Sequence, residues 1–305
     1  MPNEVAEIVA GELLARASRV AGEATRLFHG RGGTFPGAEG LCADWFEPLL
    51  FITLYGEEAE ALTAPLINAA KEALGERVGS IMIQRRYLGG SPAELIEGSL
   101  PDKPLAVEGG LSYLIRPGEA QNIGFFGDMS KGRALVRNRA NKKRVLNLFS
   151  YTCSFSVAAL AGGAESVVNL DMSRGALSLG RENHMVNGFD LRRAAFLCHD
   201  LFKSFSKLRK LAPFDMVIVD PPTSQGRSFT AERDWPRLLS RLPQLIEGGA
   251  EVIAALNAPH LPSTFLEEQF TAQLPEALLA GRYSSGEDYP EADPERGLKI
   301  LHYKT

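Results

Sequence analysis

The sequence has few of the residues from which disulfide frameworks and metal sites are built. Its 305 residues include three cysteines, Cys42, Cys153 and Cys198, which are far apart and odd in number. This pattern contains no CxxC pair and excludes a disulfide framework as the organising device. Five scattered histidines add no cluster of the zinc type. We therefore expect a protein that needs no metal ion.

Long apolar runs are also absent. No run reaches the roughly 20 residues that a membrane-spanning helix needs. The N-terminus, MPNEVAEIVAGELLARASRV, lacks the basic start and the apolar centre of a secretory signal. The sequence contains no internal repeat and no low-complexity segment. We expect a cytoplasmic globular protein with no membrane partner, which agrees with a hydrophobic fraction of 45%.

Excess charge is small, but it is unevenly distributed. The formal net charge is -4, so the chain as a whole does not have the composition of a polyanion binder. From Lys131 to Arg144, however, the segment KGRALVRNRANKKR holds seven basic residues and no acidic one. Such a segment is suited to contacting phosphates, and it is equally typical of a solvated helix flank before a strand. The sequence leaves both interpretations open.

The chain changes its pattern near residue 120. Residues 1–120 combine helical spacing, as in Glu57–Leu74, with strand patterns, as in Ser80–Leu88. They predict a small α+β N-terminal domain. Residues 121–305 form the second predicted domain, in which short apolar segments alternate with helical ones from Arg144 onward.

The second domain contains five strand candidates with helical crossovers between them. They are Val145–Phe149, Ser166–Leu170, Ala195–Cys198, Met216–Val219 and Val252–Leu256. Nearly continuous apolar strands of this kind are typical of a parallel sheet covered on both faces, and they predict an α/β fold. Ligands bind such sheets beyond the carboxyl ends of the strands, where the strand order reverses. We therefore expect functional residues directly after these strands.

Acidic residues follow three neighbouring strand candidates. Asp171, after the second strand, stands where a carboxylate accepts hydrogen bonds from ribose hydroxyls. Asp200, after the third, is able to accept from the exocyclic amine of adenine, and Asp220-Pro221-Pro222 forms a rigid turn after the fourth. One such residue alone is often only a helix N-cap. Three in register predict a cofactor of the adenosine type.

Several segments resemble those of one enzyme family. They are NIGFFGDMSKGR, VLNLFSYTCSF, VVNLDMSRGAL, NHMVNGFD, CHDLF and FDMVIVDPPT. They look like segments of the bacterial 23S ribosomal RNA methyltransferases, which include cytosine-C5 and guanine-N7 enzymes. RLFHGRGGTFPGAEGLCADWF also resembles the family's small α+β domain. The resemblance implies a Rossmann-like class I methyltransferase sheet, S-adenosylmethionine as cofactor and RNA as partner.

The resemblance also implies roles for particular residues. Asp171 would hold the ribose, Met172 would pack on the adenine and Asp200 would bind its amine. Carried over position by position, the candidate cofactor-binding residues are Phe126, Asp128, Arg133, Asn147, Phe149, Ser150, Tyr151, Thr152, Asp171, Met172, Ser173, Asp200, Leu201 and Asp220. Asp220, which would face the methyl-donor site, is also the candidate catalytic residue. The candidate substrate-binding residues are Pro221, Pro222, Thr223 and Asn257.

The sequence departs from the family pattern in three places. The family has glycine after the Tyr-Thr pair, where this chain has Cys153 and Ser154. Glycine is used where no side chain fits or where φ is positive, so the departure puts cofactor affinity in question. Asp128-Met129-Ser130 lacks one family arginine. Many members also begin with a small RNA-binding PUA domain, for which this sequence has no room, so we expect RNA affinity to come from other surfaces.

The cysteines argue against covalent chemistry on cytosine. Methylation at cytosine C5 needs a thiolate that attacks the ring, and members of that type carry a cysteine after strand five. This chain has Asn257 there, which resembles the guanine-N7 type. Cys153 lies in a turn expected to face the cofactor, and Cys198 lies within a strand. We predict direct methyl transfer, in which catalysis consists mainly of alignment.

Two other functions remain open at the level of sequence. The acidic net charge and Thr223, which has no ring to stack on a base, favour a small-molecule or protein acceptor. Cys153-Ser154 in place of glycine favours a non-catalytic protein that retains the fold. For an RNA acceptor, the candidate phosphate contacts are the basic segment and the arginines Arg85, Arg86, Arg192 and Arg193.

Overall fold

A computed structural model describes residues 2–225 and 228–305. The contacts divide the chain into two units, Met1–Asp128 with Gly286–Pro294, and Met129–Ser285 with Glu295–Thr305. The first boundary falls eight residues after residue 120, the position that the sequence predicts. The segment 286–294 lies within the predicted second domain but belongs to the first unit. Arg16 donates to the carbonyl of Asp288 at 2.7 Å, a contact between residues too distant in sequence for a local pattern to reveal.

The first unit is a sheet with two helices. Its elements are α1 (Pro2–Ala17), β1 (Thr25–His29), β2 (Leu41–Phe46), β3 (Leu49–Leu54), α2 (Thr63–Leu74), β4 (Ser80–Arg85), β5 (Ala93–Gly98), β6 (Leu105–Glu108) and β7 (Leu111–Leu114). The main sheet has the order β1-β2-β3-β4-β5, and only β3 and β4 are parallel. Apolar residues four apart on α1, Val9, Leu13 and Ala17, are buried in its core. The predicted α+β character is confirmed.

The second unit is an α/β sheet. Its elements are α3 (Ser130–Arg139), β8 (Arg144–Leu148), α4 (Ser154–Ala161), β9 (Ser166–Asp171), α5 (Arg174–Val186), β10 (Ala194–Cys198), α6 (Phe205–Arg209), β11 (Phe214–Val219), β12 (Ser224–Gln225), β13 (Phe229–Thr230), α7 (Ala231–Leu239), β14 (Ile246–Leu256), α8 (Ser263–Gln273), β15 (Leu278–Tyr283) and β16 (Lys299–Lys304). The seven-stranded sheet has the order β10-β9-β8-β11-β14-β16-β15. The pairs from β10 to β14 are parallel, and β16 is antiparallel to both of its neighbours.

Alternating side chains of these strands fill two cores. Leu146 and Leu148 of β8 pack into the cluster that contains Trp235 of α7, whereas Val145 packs with Leu135 of α3. Both faces of the sheet are therefore covered, which is why the strands appear as continuous apolar runs in the sequence. The strand order reverses between β8 and β11. The Rossmann-like arrangement confirms the predicted fold class and places the expected ligand edge at the carboxyl ends of β8 to β11.

Within the described residues, no helix combines the length and the apolar character needed to cross a membrane.

Candidate functional site

A cleft opens at the carboxyl ends of β8, β9 and β10. It is lined by Phe149, Leu170, Asp171, Met172, His199, Asp200, Leu201, Phe202 and Ser228. Two of the three predicted carboxylates, Asp171 and Asp200, thus share one cleft. Asp220 directly follows β11, whose Val219 stands opposite Leu148 of β8, so it lies at the same edge on the neighbouring strand.

Asp171 fixes the loop between β8 and α4. Its Oδ2 accepts a hydrogen bond from the backbone N–H of Tyr151 at 2.8 Å, and its Oδ1 accepts one from the N–H of Ser173 at 2.7 Å. Bonds of this kind to an ionised acceptor are about twice as strong as neutral ones. A carboxylate has about four acceptor positions, so both oxygens keep capacity for ligand hydroxyls. Asp171 therefore organises the protein and remains able to bind a ribose.

The β8–α4 loop has an unusual backbone. Phe149, Tyr151 and Cys153 have φ values of 56°, 46° and 61°, which is the left-handed region that favours glycine. Two hydrogen bonds hold the loop in this conformation. Cys153 N–H donates to the carbonyl of Ser150 at 2.7 Å, and Asn183 Nδ2 donates to the carbonyl of Thr152 at 3.0 Å. Three non-glycine residues in this region in one loop are typical of a functional site that its surroundings hold in place.

Cys153 occupies the family glycine position without filling the cleft. Its side chain is fully buried, and its Sγ would lie 2.6 Å from a Cβ atom added at Gly180 of α5. The thiol is therefore accommodated by the missing side chain of Gly180. Burial raises the pKa of the Cys153 thiol well above its usual range, so it is protonated at neutral pH. The substitution removes no space from the cleft, since Cys153 is not among its lining residues.

A buried polar network lies beneath this loop. Asn147 Nδ2 donates to Asn169 Oδ1 at 2.9 Å, and Asn169 Nδ2 donates to the hydroxyl of Ser156 at 3.1 Å. That hydroxyl lies 2.8 Å from Nε2 of His184, whose Nδ1 lies 2.6 Å from the carbonyl of Gly180. Burial lowers the pKa of His184, which favours the neutral ring that this network requires. Asn147 is a predicted cofactor-binding residue. Its side chain belongs to this interior network and is not among those that line the cleft.

The other predicted cofactor residues have different environments. Phe149, Met172 and Leu201 line the cleft, and Met172 is 46% exposed. Ser173 caps α5, because its side chain accepts from the N–H of Ala176 at 3.2 Å. Ser150 and Thr152 are buried and Tyr151 is half-buried, and none of the three lines the cleft.

The segment that enters the second unit carries three more predicted cofactor residues. Arg133, in α3, is only 2% exposed, which is rare for an arginine. Phe126 is exposed, and Asp128 lies in the short turn Gly127–Met129. Both of these residues belong to the first unit.

The two predicted substrate loops meet. Thr223, in the turn after β11, donates from its hydroxyl to the carbonyl of Asn257 after β14 at 2.5 Å. Pro221 is buried and Pro222 is exposed, so the turn is anchored on one side. The buried ammonium of Lys299 donates to the carbonyl of Leu261 at 2.9 Å and holds the second loop further along.

Four residues of the cleft were missing from the predicted site: Leu170, His199, Phe202 and Ser228. Phe202 had a local signal, because an apolar pair directly after an acidic strand end provides a wall for an adenine. His199 directly precedes Asp200, and its Nε2 lies 2.9 Å from Nζ of Lys207. Ser228 had no signal, since it is brought to the cleft from the far side of the loop after β11.

The basic segment 131–144 does not form one exposed surface. Arg139 and Lys143 lie 3.3 and 2.5 Å from the carboxylate of Glu251 on β14. The guanidinium of Arg144 donates to the carbonyl of Leu211, and Arg133 is buried. Of the two interpretations that the sequence leaves open, a continuous exposed stripe does not agree with these contacts. A carboxylate more than 100 residues away in sequence neutralises its centre.

The described residues contain no group of three or more His, Cys, Asp or Glu side chains placed to hold a metal ion.

Comparisons with known proteins support this arrangement. A family model described as "S-adenosylmethionine-dependent methyltransferase" matches residues 25–304. Ribosomal RNA large subunit methyltransferase I of Aeromonas salmonicida is 36% identical over 266 residues, which cover 81% of this chain and 63% of that protein. The namesake from Serratia proteamaculans is 32% identical over 275 residues, covering 85% and 68%. This chain thus spans less than two thirds of the Aeromonas relative.

A solved structure shows the same fold. It is the crystal structure of "a putative methyltransferase complexed with SAH", with a TM-score of 0.88 and 21% identity, covering 100% of this chain and 82% of that one. The sequence match extends over both units and includes every strand of the cofactor edge. The chain belongs to the S-adenosylmethionine-dependent methyltransferase family.

Proposed function

We propose that this protein transfers a methyl group from S-adenosylmethionine to a base of RNA, with ribosomal RNA as the favoured acceptor. The observation that carries the proposal is the cleft in which Asp171 and Asp200 lie on adjacent strand ends, one strand away from the Asp220-Pro221-Pro222 turn. The names of the curated relatives, which denote ribosomal RNA methyltransferases, support the choice of acceptor.

The residues of the cleft fit an adenosine. The protein uses two of the about four acceptor positions of the Asp171 carboxylate, so two are left for the ribose hydroxyls. Asp200 uses Oδ1 to accept from the N–H of Lys203 at 3.1 Å and has further acceptor positions for an exocyclic amine. Met172, Leu201 and Phe202 supply apolar walls between which a flat purine packs. Phe126, Asp128 and Arg133 remain candidate cofactor-binding residues.

The chemistry requires alignment more than acid–base catalysis. The bound cofactor supplies a methyl group on a sulfonium, which leaves as a neutral thioether when a nucleophile attacks. The protein then has to hold the acceptor in line with the methyl group, which is a matter of proximity and orientation. Asp220, Pro221 and Pro222 form the rigid turn that would orient the base, and Asn257, tied to Thr223, would hydrogen-bond its edge.

The cysteines support direct transfer without an enzyme adduct. Cys153 is buried against Gly180 with a raised pKa, so it is neither accessible nor a thiolate. Cys198 is directed to the carbonyl of Met172 at 3.4 Å, and neither residue lines the cleft. Cys42 is buried in the first unit. Together with Asn257, this favours a nitrogen acceptor of the guanine-N7 type over cytosine C5.

The test is methyl transfer from labelled S-adenosylmethionine to total RNA of a strain that lacks the protein, followed by mass spectrometry of the nucleosides. We expect label in ribosomal RNA and a methylated guanosine. Asp220→Asn should abolish incorporation. Asp102→Asn, which changes an exposed carboxylate of the first unit, is the matched control and should keep full activity.

Three outcomes would count against parts of the proposal. 5-Methylcytidine as the product would overturn direct transfer to nitrogen. Label in protein or small molecules and none in RNA would overturn the acceptor. Full activity of Asp220→Asn would remove Asp220 from the acceptor site.

A further inference from the structure

A second basic surface lies beside the cofactor cleft. From Leu201 to Phe214 the chain has four basic residues and no acidic one, in a protein whose net charge is -4. Lys203, Lys207, Arg209 and Lys210 are all exposed, while Phe205 and Leu208 of α6 are buried in the core. We call these four basic residues the 203–210 patch.

The cations of this patch are not neutralised. No ion pair with a carboxylate involves any of the four among the residues that the structure describes. The one close polar side-chain contact is that of Lys207 Nζ with His199 Nε2, at 2.9 Å. Unpaired like charges repel one another, and a bound polyanion relieves this repulsion. The electrostatic free energy of the patch therefore favours binding a polyanion.

Several of the basic residues that the sequence favoured are different in this respect. Arg139 and Lys143 are paired with Glu251, and Arg192 lies 2.7 Å from Asp190. Arg193 donates to the carbonyl of Ala164. These side chains already have anionic or carbonyl partners and would have to give them up to contact phosphates. The side chains of the 203–210 patch have no carboxylate partner to give up among the residues that the structure describes.

Two arginines, Arg237 of α7 and Arg241 just after it, stack on aromatic rings beside the patch, and Arg237 also lies 3.7 Å from the carboxylate of Asp234. The guanidinium of Arg237 lies 3.8 Å from the ring centre of Phe202, and that of Arg241 lies 5.2 Å from that of Phe205. Stacking of this kind holds the cationic groups in fixed positions. Phe202 is also a wall of the cofactor cleft. The cationic surface is therefore continuous with the site.

We propose that the 203–210 patch binds the phosphate backbone of the acceptor RNA and holds it beside the cleft. This inference rests on the proposed function, because it takes RNA as the acceptor. The patch supplies affinity through phosphates and carries no base recognition, which falls to the loops after β11 and β14. Continuity with the cleft is what favours RNA over an anionic membrane as the partner.

The experiment compares two double variants of the full chain. Lys203→Gln/Lys210→Gln removes two patch charges and leaves Lys207, which contacts His199, in place. Arg19→Gln/Lys103→Gln removes two exposed basic residues of the first unit, which belong neither to the patch nor to the segment 131–144, and is the matched control. Binding to unmethylated ribosomal RNA is measured across a series of salt concentrations, together with the kinetics of methyl transfer and the affinity for S-adenosylmethionine.

We expect the patch variant to bind RNA about tenfold more weakly at low salt. Its plot of log affinity against log salt should be shallower by about 1.4, since each lost single-strand phosphate contact reduces the slope by about 0.7. KM for RNA should rise while kcat and cofactor affinity stay within about twofold. The control pair should change RNA affinity by no more than about twofold.

The outcomes separate this inference from the proposed function. If the wild-type protein methylates RNA and the patch variant binds it as tightly as the control does, the patch is overturned and the function stands. If the wild type methylates no RNA, the proposed acceptor fails whatever the patch binds. Loss of binding to phosphatidylserine vesicles in the patch variant, with RNA binding unchanged, would show a membrane partner and overturn the inference.

Discussion

The carboxyl edge of the seven-stranded sheet has two halves that are held in different ways. At β8 and β9 a carboxylate does the holding, because Asp171 accepts from the backbone of both Tyr151 and Ser173. At β11 and β14 the neutral hydroxyl of Thr223 joins the two loops through the carbonyl of Asn257. Charge-assisted bonds are about twice as strong as neutral ones. We therefore expect the β8–β9 half, where we place the cofactor, to be organised before ligand binds, and the β11–β14 half, where we place the acceptor, to be more easily adjusted. We call these the cofactor half and the acceptor half.

Replacing Asp171 is the strongest test of this comparison. Asp171→Ala removes the ribose acceptor and releases the β8–α4 loop, so we expect affinity for S-adenosylmethionine to fall at least 100-fold, or about 2.8 kcal/mol. Asp220→Asn, in the other half, should weaken cofactor affinity by no more than about tenfold, because it keeps the shape of a side chain predicted to face the methyl-donor site, and should lower kcat at least 100-fold. Equilibrium dialysis with labelled cofactor and single-turnover kinetics measure the two effects. Similar cofactor affinity in both variants would show that the halves are not separate in function.

The support beneath the cofactor half provides the second test. Gly180→Ala would bring a methyl group within 2.6 Å of Cys153 Sγ, and we expect it to destabilise the protein by about 2 kcal/mol, as overpacking of a close-packed interior does. Adding Cys153→Gly should recover at least half of that loss, since the residue at 153 has a positive φ that glycine adopts readily. Denaturant unfolding of the two single variants and the double variant gives the coupling energy. Additive effects would contradict the proposed contact.

The smallest effect is expected in the acceptor half. Thr223→Val removes the hydroxyl that donates to Asn257 and keeps the shape of the side chain. A neutral hydrogen bond is worth about 1 kcal/mol, so KM for RNA should rise about fivefold with cofactor affinity unchanged. Thr223→Ser keeps the hydroxyl and is the matched control. A loss of cofactor affinity in Thr223→Val alone would indicate that the two halves are coupled through this turn.

The sequence predicted the strands of this edge because each is a local apolar run. Leu146, Leu148 and Val145 belong to opposite cores, yet all are buried, so the run is visible without knowledge of the partners. Asp171 and Asp200 were predictable for a related reason. A polar residue directly after a buried strand stands at the ligand edge whatever the strand order is.

The local pattern gives no information on a side chain whose partner lies far away along the chain. Asn147 follows the rule for strand ends, but Asn169 of β9 takes its side chain into the interior. In the sequence, Arg139 and Lys143 belong to a segment without acidic residues. In the fold, β14 places the carboxylate of Glu251 beside both of them. Neither pairing leaves a mark in the local pattern.

The apolar runs were enough to determine an α/β sheet, and the acidic residues after them to predict an adenosine site at its carboxyl edge, since burial and alternation act over a few residues. Only the tertiary structure shows where the thiol of Cys153 lies, because the space for it is provided by Gly180 on another helix. It also decided which cations are free to bind an anion. Charge is written in the sequence, but its neutralisation depends on which carboxylate the fold brings within a few ångströms.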